Sequence, residues 1–158
     1  IETGDAKTVP NVWFATLLSA VYLGAATAAR DALIRYALDR TPTALGKPIA
    51  TLPKIQRQVG EIDVTLMAAR ALLFETAAAW SGRDEDRPRM MARVAAAKVA
   101  VSTAANEATE KAMQAAGGAS LTSALPLERY FRDVRAAEMQ PPAGDTAYEF
   151  VGRAALEL

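Results

Sequence analysis

Leu52, Ile55, Val59, Ile62, Leu66, Ala69, Leu73, Thr76 and Trp80 recur at alternating spacings of three and four residues. A seam of this kind, sustained for about four heptads, belongs to a helix packed nearly parallel or antiparallel to a second long helix. No strand fits it, because side chains along a strand change face at every residue. Arg57, Glu61, Asp63 and Arg70 fall off the seam and mark the polar side. Thr51 stands where an N-cap is expected, with Pro53 just inside the first turn.

The flanking sequence supplies the partners. A first helix is expected from Pro10 to Asp39, where Thr41-Pro42-Thr43 breaks it: proline brings no N–H and disfavours helix in the residue before it. After a polar turn at Ser81–Asp86, a third helix is expected from about Pro88 to Ala116, with Val94, Ala97, Val101, Ala104, Ala108 and Ala112 on one stripe. Alanine provides 36 of the 158 residues, so helices here can approach closely. Gly117-Gly118 ends the third helix, since glycine enters the left-handed C-terminal turn without steric penalty. A shorter helix is expected from Pro126 to Arg135, and a last one from Ala147 to Leu156, capped by Asp145 or Thr146 after the Pro141-Pro142 interruption. Strand patterns and internal repeats are absent. The sequence therefore predicts an all-α protein, an antiparallel up-and-down four-helix-type bundle forming a single domain over residues 1–158.

Histidine and cysteine are both missing. Their absence excludes Ser-His-Asp and Cys-His nucleophilic machinery, Cys/His zinc sites and disulfides. Lys and Arg balance Asp and Glu at 18 each, which argues against a nucleic-acid partner. Asn11 to Ala29 carries no charge over nineteen residues, close to a membrane-spanning length. Its Asn, Ser, Thr, Ala and Gly content, and the helical pattern continuing through Arg30, Asp31 and Arg35, favour instead a helix buried at the centre of a bundle. No membrane partner and a cytoplasmic location are the corresponding expectations.

Four features could carry chemistry. Arg40 precedes the loop Leu45-Gly46-Lys47-Pro48-Ile49 and a helix start, where a phosphate could be held; a C-terminal Arg complementing the helix dipole is the plainer reading. Gln114, Gly117 and Gly118 combine an amide with a backbone open to close approach, although glycines in that place more often simply stop a helix. Leu127 to Arg135 alternates charges as a solvated or subunit-facing helix does. Glu75 lies among apolar residues and could be partly buried, and Glu107 is placed to pair with Lys111 one turn on.

In their order along the chain, these pieces resemble the C-terminal helical domain of the acyl-CoA dehydrogenase family. The resemblance rests on Tyr22-Leu23-Gly24-Ala25-Ala26 through Arg40, on Gly46-Lys47-Pro48-Ile49 with Gln56, on Gln114-x-x-Gly117-Gly118, and on Arg129 to Arg135. It implies a flavoprotein oxidoreductase in which this domain touches FAD, with Arg40, Gln114, Gly117 and Gly118 as the contacts. It also implies an oligomer interface, hence a homodimer or homotetramer, and an acyl-CoA or other small-molecule substrate. Family members carry two further domains ahead of this one, so the chain, which opens on Ile1, is expected to be the C-terminal part of a longer flavoprotein and inactive alone.

The chain departs from the family pattern at informative places. Leu45 replaces an aromatic residue, Pro53 replaces a Gln, and Arg40 stands two residues farther from the loop. The family's usual catalytic Glu falls within Gln140-Pro141-Pro142-Ala143, which holds no carboxylate, and Asn11–Ala29 offers none either. Abstraction of an α-proton needs a base within hydrogen-bond reach. Three readings follow: a dehydrogenase with its base elsewhere, a flavin-dependent monooxygenase of the same superfamily, or a non-catalytic helical assembly module.

Overall fold

A computed structural model describes residues 12–80 and 87–158. The expected helix start at Pro10 and the polar turn Ser81–Asp86 lie outside them. The described residues form five α-helices: α1 (Val12–Asp39), α2 (Pro53–Ala78), α3 (Arg87–Ala116), α4 (Leu127–Met139) and α5 (Gly144–Ala155). α1, α2 and α3 contain 28, 26 and 30 residues, giving rods of about 40–45 Å at 1.5 Å per residue. No strand occurs among the described residues, and the all-α up-and-down bundle is as the sequence predicts.

The seam on α2 is buried as its spacing requires. Ile55, Ile62, Leu66, Ala69, Leu73 and Thr76 are all buried, and Trp80 follows just beyond the helix. Opposite it, the expected α3 stripe of Val94, Ala97, Val101, Ala104, Ala108 and Ala112 is also buried. Each buried alanine contributes little alone, on the order of 0.8 kcal/mol per methyl-sized group. Its gains are close contact and no side-chain entropy lost on burial. Larger buried groups such as Leu33, Ile62, Val101, Leu127 and Val134 fill the spaces between these thin stripes.

The central helix is α3, not α1. α3 packs against every other helix, and Ala95, Ala105, Ser102, Asn106 and Thr109 are buried beside its expected stripe. α1 buries Leu23, Ala26, Ala29, Ala32, Leu33 and Ala37 but leaves Trp13, Phe14, Leu17 and Val21 exposed. Its uniform hydropathy therefore reflects one packed face and one uncovered apolar face. α1 is long and apolar enough to cross a membrane, and about a third of that stretch is buried in the bundle.

Several boundaries differ from the sequence expectation. Thr51 does not cap α2: it closes a 3-10 turn, Ile49–Thr51, with its hydroxyl donating to Pro48 O at 2.8 Å, and Leu52 is the N-cap. Pro53 does occupy the first turn. α4 continues one turn past Arg135, because Ala136 to Met139 are good helix formers and Ala137 is fully buried. α5 begins at Gly144, with Ala143 as N-cap and Asp145 in the first turn, where its charge meets the positive end of the dipole.

Ion pairs fix the directions of the helices. Arg30 of α1 donates to both Asp63 oxygens on α2 at 2.7 and 2.9 Å, and to Asp31 at 2.9 Å. Lys111 of α3 donates to Glu61 of α2 at 2.6 Å, and Arg93 bonds Glu75. α2 thus runs antiparallel to α1 and to α3. The expected Glu107–Lys111 pair does not form, because the Lys111 ammonium reaches across to the neighbouring helix instead.

Candidate functional site

This register brings the end of α1, the start of α2, the end of α3 and the start of α4 to one end of the bundle. Arg40, the Leu45–Ile49 loop, Gln114, Gly117 and Gly118 therefore share that end, although 74 residues separate Arg40 from Gln114 in sequence. All four of the expected contact residues are exposed.

Local sequence explains each placement. The last helical bond of α1 runs from Arg40 N to Tyr36 O at 2.9 Å, and Pro42 prevents continuation. Pro42 O then accepts Leu45 N and Gly46 N at 2.9 and 3.0 Å, turning the chain at Gly46, whose φ is +66°. Ile49 N donates to Arg40 O at 2.9 Å and ties the loop back beneath the Arg. The loop is thus closed by its own backbone, and the Arg40 side chain is left free of it.

Gly117 takes φ +62°, a left-handed conformation that favours glycine, and its carbonyl accepts the Ser120 hydroxyl at 2.7 Å. Gly118 follows in a 3-10 turn, Gly117–Leu121. No atom lies within 4 Å of where a Cβ would stand at either glycine. The corner is open backbone, accessible to a ligand that must come close. The Gln114 amide projects from the last turn of α3 and, among the described residues, donates only to Glu110, at 3.3 Å.

A helix C-terminus carries partial negative charge and would by itself repel an anion. The same end compensates. Arg40, Lys47 and Lys54 are exposed and pair with no carboxylate among the described residues, and the positive end of the α2 dipole lies beside them. An amide, two accessible glycines and cations that pair with no carboxylate among the described residues thus share this end of the bundle. Sequence reading missed Lys54, which stands in the first turn of α2 at the same end of the bundle. Among the described residues no group of three acidic side chains is placed to hold a metal.

Other candidates resolve to packing. Glu75 is exposed and bonded to Arg93 rather than set in an apolar pocket. Along Leu127–Arg135, Arg132 pairs with Glu128, while Arg129 and Arg135 lie over the Tyr130 and Phe131 rings at 5.2 and 4.2 Å, as expected of a solvated face. The segment Gln140–Ala143 joins α4 to α5, with Pro142 buried and its neighbours Pro141 and Ala143 exposed.

The electrostatics contain one feature outside the sequence-predicted candidates. Lys98 is only 3% exposed, and burial holds its ammonium below the ordinary lysine range against the opposing pull of Glu138. Elsewhere, the Arg30 guanidinium bonded to Asp63 holds that carboxyl below its usual range, and Lys111 does the same for Glu61. Lys98, Ser102, Asn106 and Thr109 recur at spacings of four, four and three beside the alanine stripe. That polar line was the available signal.

Comparison with known proteins identifies the family to which the fold belongs. The family model described as acyl-CoA dehydrogenase, C-terminal domain, matches residues 16–140. The putative acyl-CoA dehydrogenase YdbM of Bacillus subtilis is 37% identical over 154 residues, which are 98% of this chain and 40% of that protein. The mitochondrial short-chain specific acyl-CoA dehydrogenase of Bos taurus is 36% identical over 117 residues, covering 74% of this chain and 27% of the relative. Among solved structures, butyryl-CoA dehydrogenase from Megasphaera elsdenii superposes with a TM-score of 0.79 at 25% identity, over 90% of this chain and 36% of that one. The chain thus spans well under half the length of the relatives it matches.

Proposed function

Because this chain belongs to the acyl-CoA dehydrogenase family, as its C-terminal helical domain, we propose that it supplies one wall of an FAD site in a flavoprotein oxidoreductase acting on acyl-CoA thioesters. The observation that carries this reading is that Arg40, Gln114, Gly117 and Gly118 are exposed at one end of the bundle, the end that also carries Lys47 and Lys54, which pair with no carboxylate among the described residues. In this reading the glycine corner lets the FAD pyrophosphate approach the backbone. Gln114 donates its amide to the phosphate oxygens, and Arg40 with the lysines offsets their charge. FAD itself supplies the redox chemistry. Because the cluster lies on the surface, the rest of the site comes from other domains and from a second protomer, so a homodimer or homotetramer in the cytoplasm is the working assembly.

The proposed test is flavin binding by the full-length polypeptide. Gly118→Asp places a side chain and a negative charge on open backbone without disturbing packing, and should weaken FAD binding at least about tenfold with the helical spectrum intact. Undiminished FAD affinity in that variant would remove the glycine corner from the site.

The connection Gln140–Ala143 favours a second reading of the chemistry. It holds no carboxylate where the family's dehydrogenases commonly place their base. Oxygen activation on reduced flavin, as in the monooxygenases of the superfamily, needs no such base. Anaerobic bleaching of the flavin by an acyl-CoA supports dehydrogenation; reduction only by an external donor, followed by oxygen uptake with substrate, supports the monooxygenase.

A further inference from the structure

α2 carries a second seam, opposite its buried one. Gly60, Val64, Met67, Ala71, Phe74 and Ala78 recur at alternating spacings of four and three residues, and all six are exposed. That spacing sets them along one line of the helix, as it does for the core seam. The large members stand clear of their own bundle: Val64, Met67 and Phe74 are 69, 68 and 55% exposed. The Arg70 guanidinium lies over the Phe74 ring, 4.5 Å from its centroid, at the border of the seam.

Beside this ridge runs a groove. α5 packs on α3 but scarcely on α2, which leaves a space of about 510 Å³ between α2 and α5. Ala68 and Leu72 of α2, Ala96, Val99 and Ala100 of α3, and Tyr148 of α5 line it, and Tyr148 is 63% exposed. An apolar ridge and an apolar groove on one face suit an isologous contact, because a two-fold axis between them lays each copy's ridge into the other's groove. Ridge and groove together expose roughly 600 Å² per copy, so two copies bring together about 1,200 Å², the lower bound for a specific interface.

Charge favours the same occupant. All three carboxylates of α2 are already paired within the chain, Asp63 with Arg30, Glu61 with Lys111 and Glu75 with Arg93. Two identical faces therefore meet without opposing free carboxylates, whereas a basic partner would find no counter-charge on α2.

We infer that the ridge of Val64, Met67 and Phe74 and the groove between α2 and α5 form a homotypic interface, filled by the same face of a second copy of this chain. The inference rests on the homo-oligomer of the proposed function for the presence of that copy, and adds the surface that holds it. This face runs along the side of the bundle, whereas the glycine corner lies at its end.

Sedimentation of the full-length polypeptide without added flavin tests the face independently of the cofactor site. Met67→Asp places a charge on the ridge and Tyr148→Asp places one on the groove wall. Each change enters an isologous contact twice, so each should lower the association constant at least about hundredfold and the sedimenting mass to half or less, with the helical spectrum intact. Val21→Asp, the same kind of change on the uncovered face of α1, and Gly118→Asp, at the proposed flavin corner, should both sediment as wild type does. Wild-type mass in either the Met67 or the Tyr148 variant overturns the interface, as does equal dissociation by Val21→Asp. A wild-type polypeptide that sediments as a monomer overturns it outright, whatever its affinity for FAD, and leaves the glycine corner to be judged by flavin binding.

Discussion

The alanine stripe on α3 makes a quantitative demand of the bundle. Ala108 is 1% exposed within the cluster that also holds Leu23, Ile62 and Val101. Replacing it by Leu adds three carbons where no space exists, yet barely alters helix propensity, since Ala and Leu are both strong helix formers. Overpacking a filled core costs about 1–3 kcal/mol. For a chain of this size each kcal/mol corresponds to about 2–4 °C in Tm, so the midpoint should fall by roughly 2–12 °C. Ala71→Leu, on the exposed side of α2, makes the same chemical change without the crowding and should stay within about 0.5 kcal/mol of wild type. Thermal and urea denaturation followed by far-ultraviolet circular dichroism measures both. If Ala108→Leu melts where Ala71→Leu does, the helices are not in close contact along this stripe and the account of the core is wrong.

Two further expectations follow from particular groups. Asp63 is held below its unfolded pKa by Arg30, so its contribution is present above about pH 4, where the unfolded carboxyl is ionised, and disappears as acid protonates the folded form. Asp63→Asn should therefore lower urea stability at pH 7 by no more than about 1 kcal/mol, given that both partners are about one-third exposed, and by progressively less as the pH falls below about 4; a loss independent of pH would refute the ion-pair origin. Gly117→Ala should cost about 1–2 kcal/mol through its left-handed backbone alone, because the Cβ would meet nothing, whereas Gly118→Ala should leave urea stability unchanged, and the reverse order would show that the corner is held by packing.

Much of the fold is legible in the sequence because its signals are periodic. The α2 seam and the α3 alanine stripe each repeat over many turns, so one misplaced residue does not alter the reading. Boundaries were harder where two weak local preferences compete. Thr51 has the side chain of an N-cap, but a 3-10 turn uses its hydroxyl first. Hydropathy points to the wrong centre of the bundle for a related reason. α1 has the higher hydropathy, yet α3, with Lys98, Ser102 and Asn106 among its alanines, is the helix surrounded by others. Small size, rather than hydropathy, admitted α3 to the centre, and polar groups followed where partners such as Glu138 were in reach. The candidate site was legible only through family resemblance. Arg40 and Gly117 each have an adequate structural explanation alone, and their common end emerges from register rather than from any local pattern.

Register is also where the weak ion pairs acquire importance. A stripe of alanines is nearly the same after sliding by one heptad, about 10 Å along the axis, so apolar packing alone discriminates poorly between offsets. Arg30 with Asp63 and Lys111 with Glu61 join α2 to its two long neighbours at single positions. Each pair is partly exposed and contributes little free energy. A displaced alignment would nevertheless leave both guanidinium and ammonium without carboxylates and would separate the end of α1 from the end of α3. The proposed flavin contacts lie at those ends, so losing a register pair should weaken cofactor binding more than it weakens the fold. Asp63→Asn, mild in urea, is accordingly expected to reduce FAD affinity of the full-length protein, although Asp63 stands more than two helical turns from the glycine corner; unchanged affinity would show that the large buried side chains, Ile62 and Val101 foremost, already fix the offset.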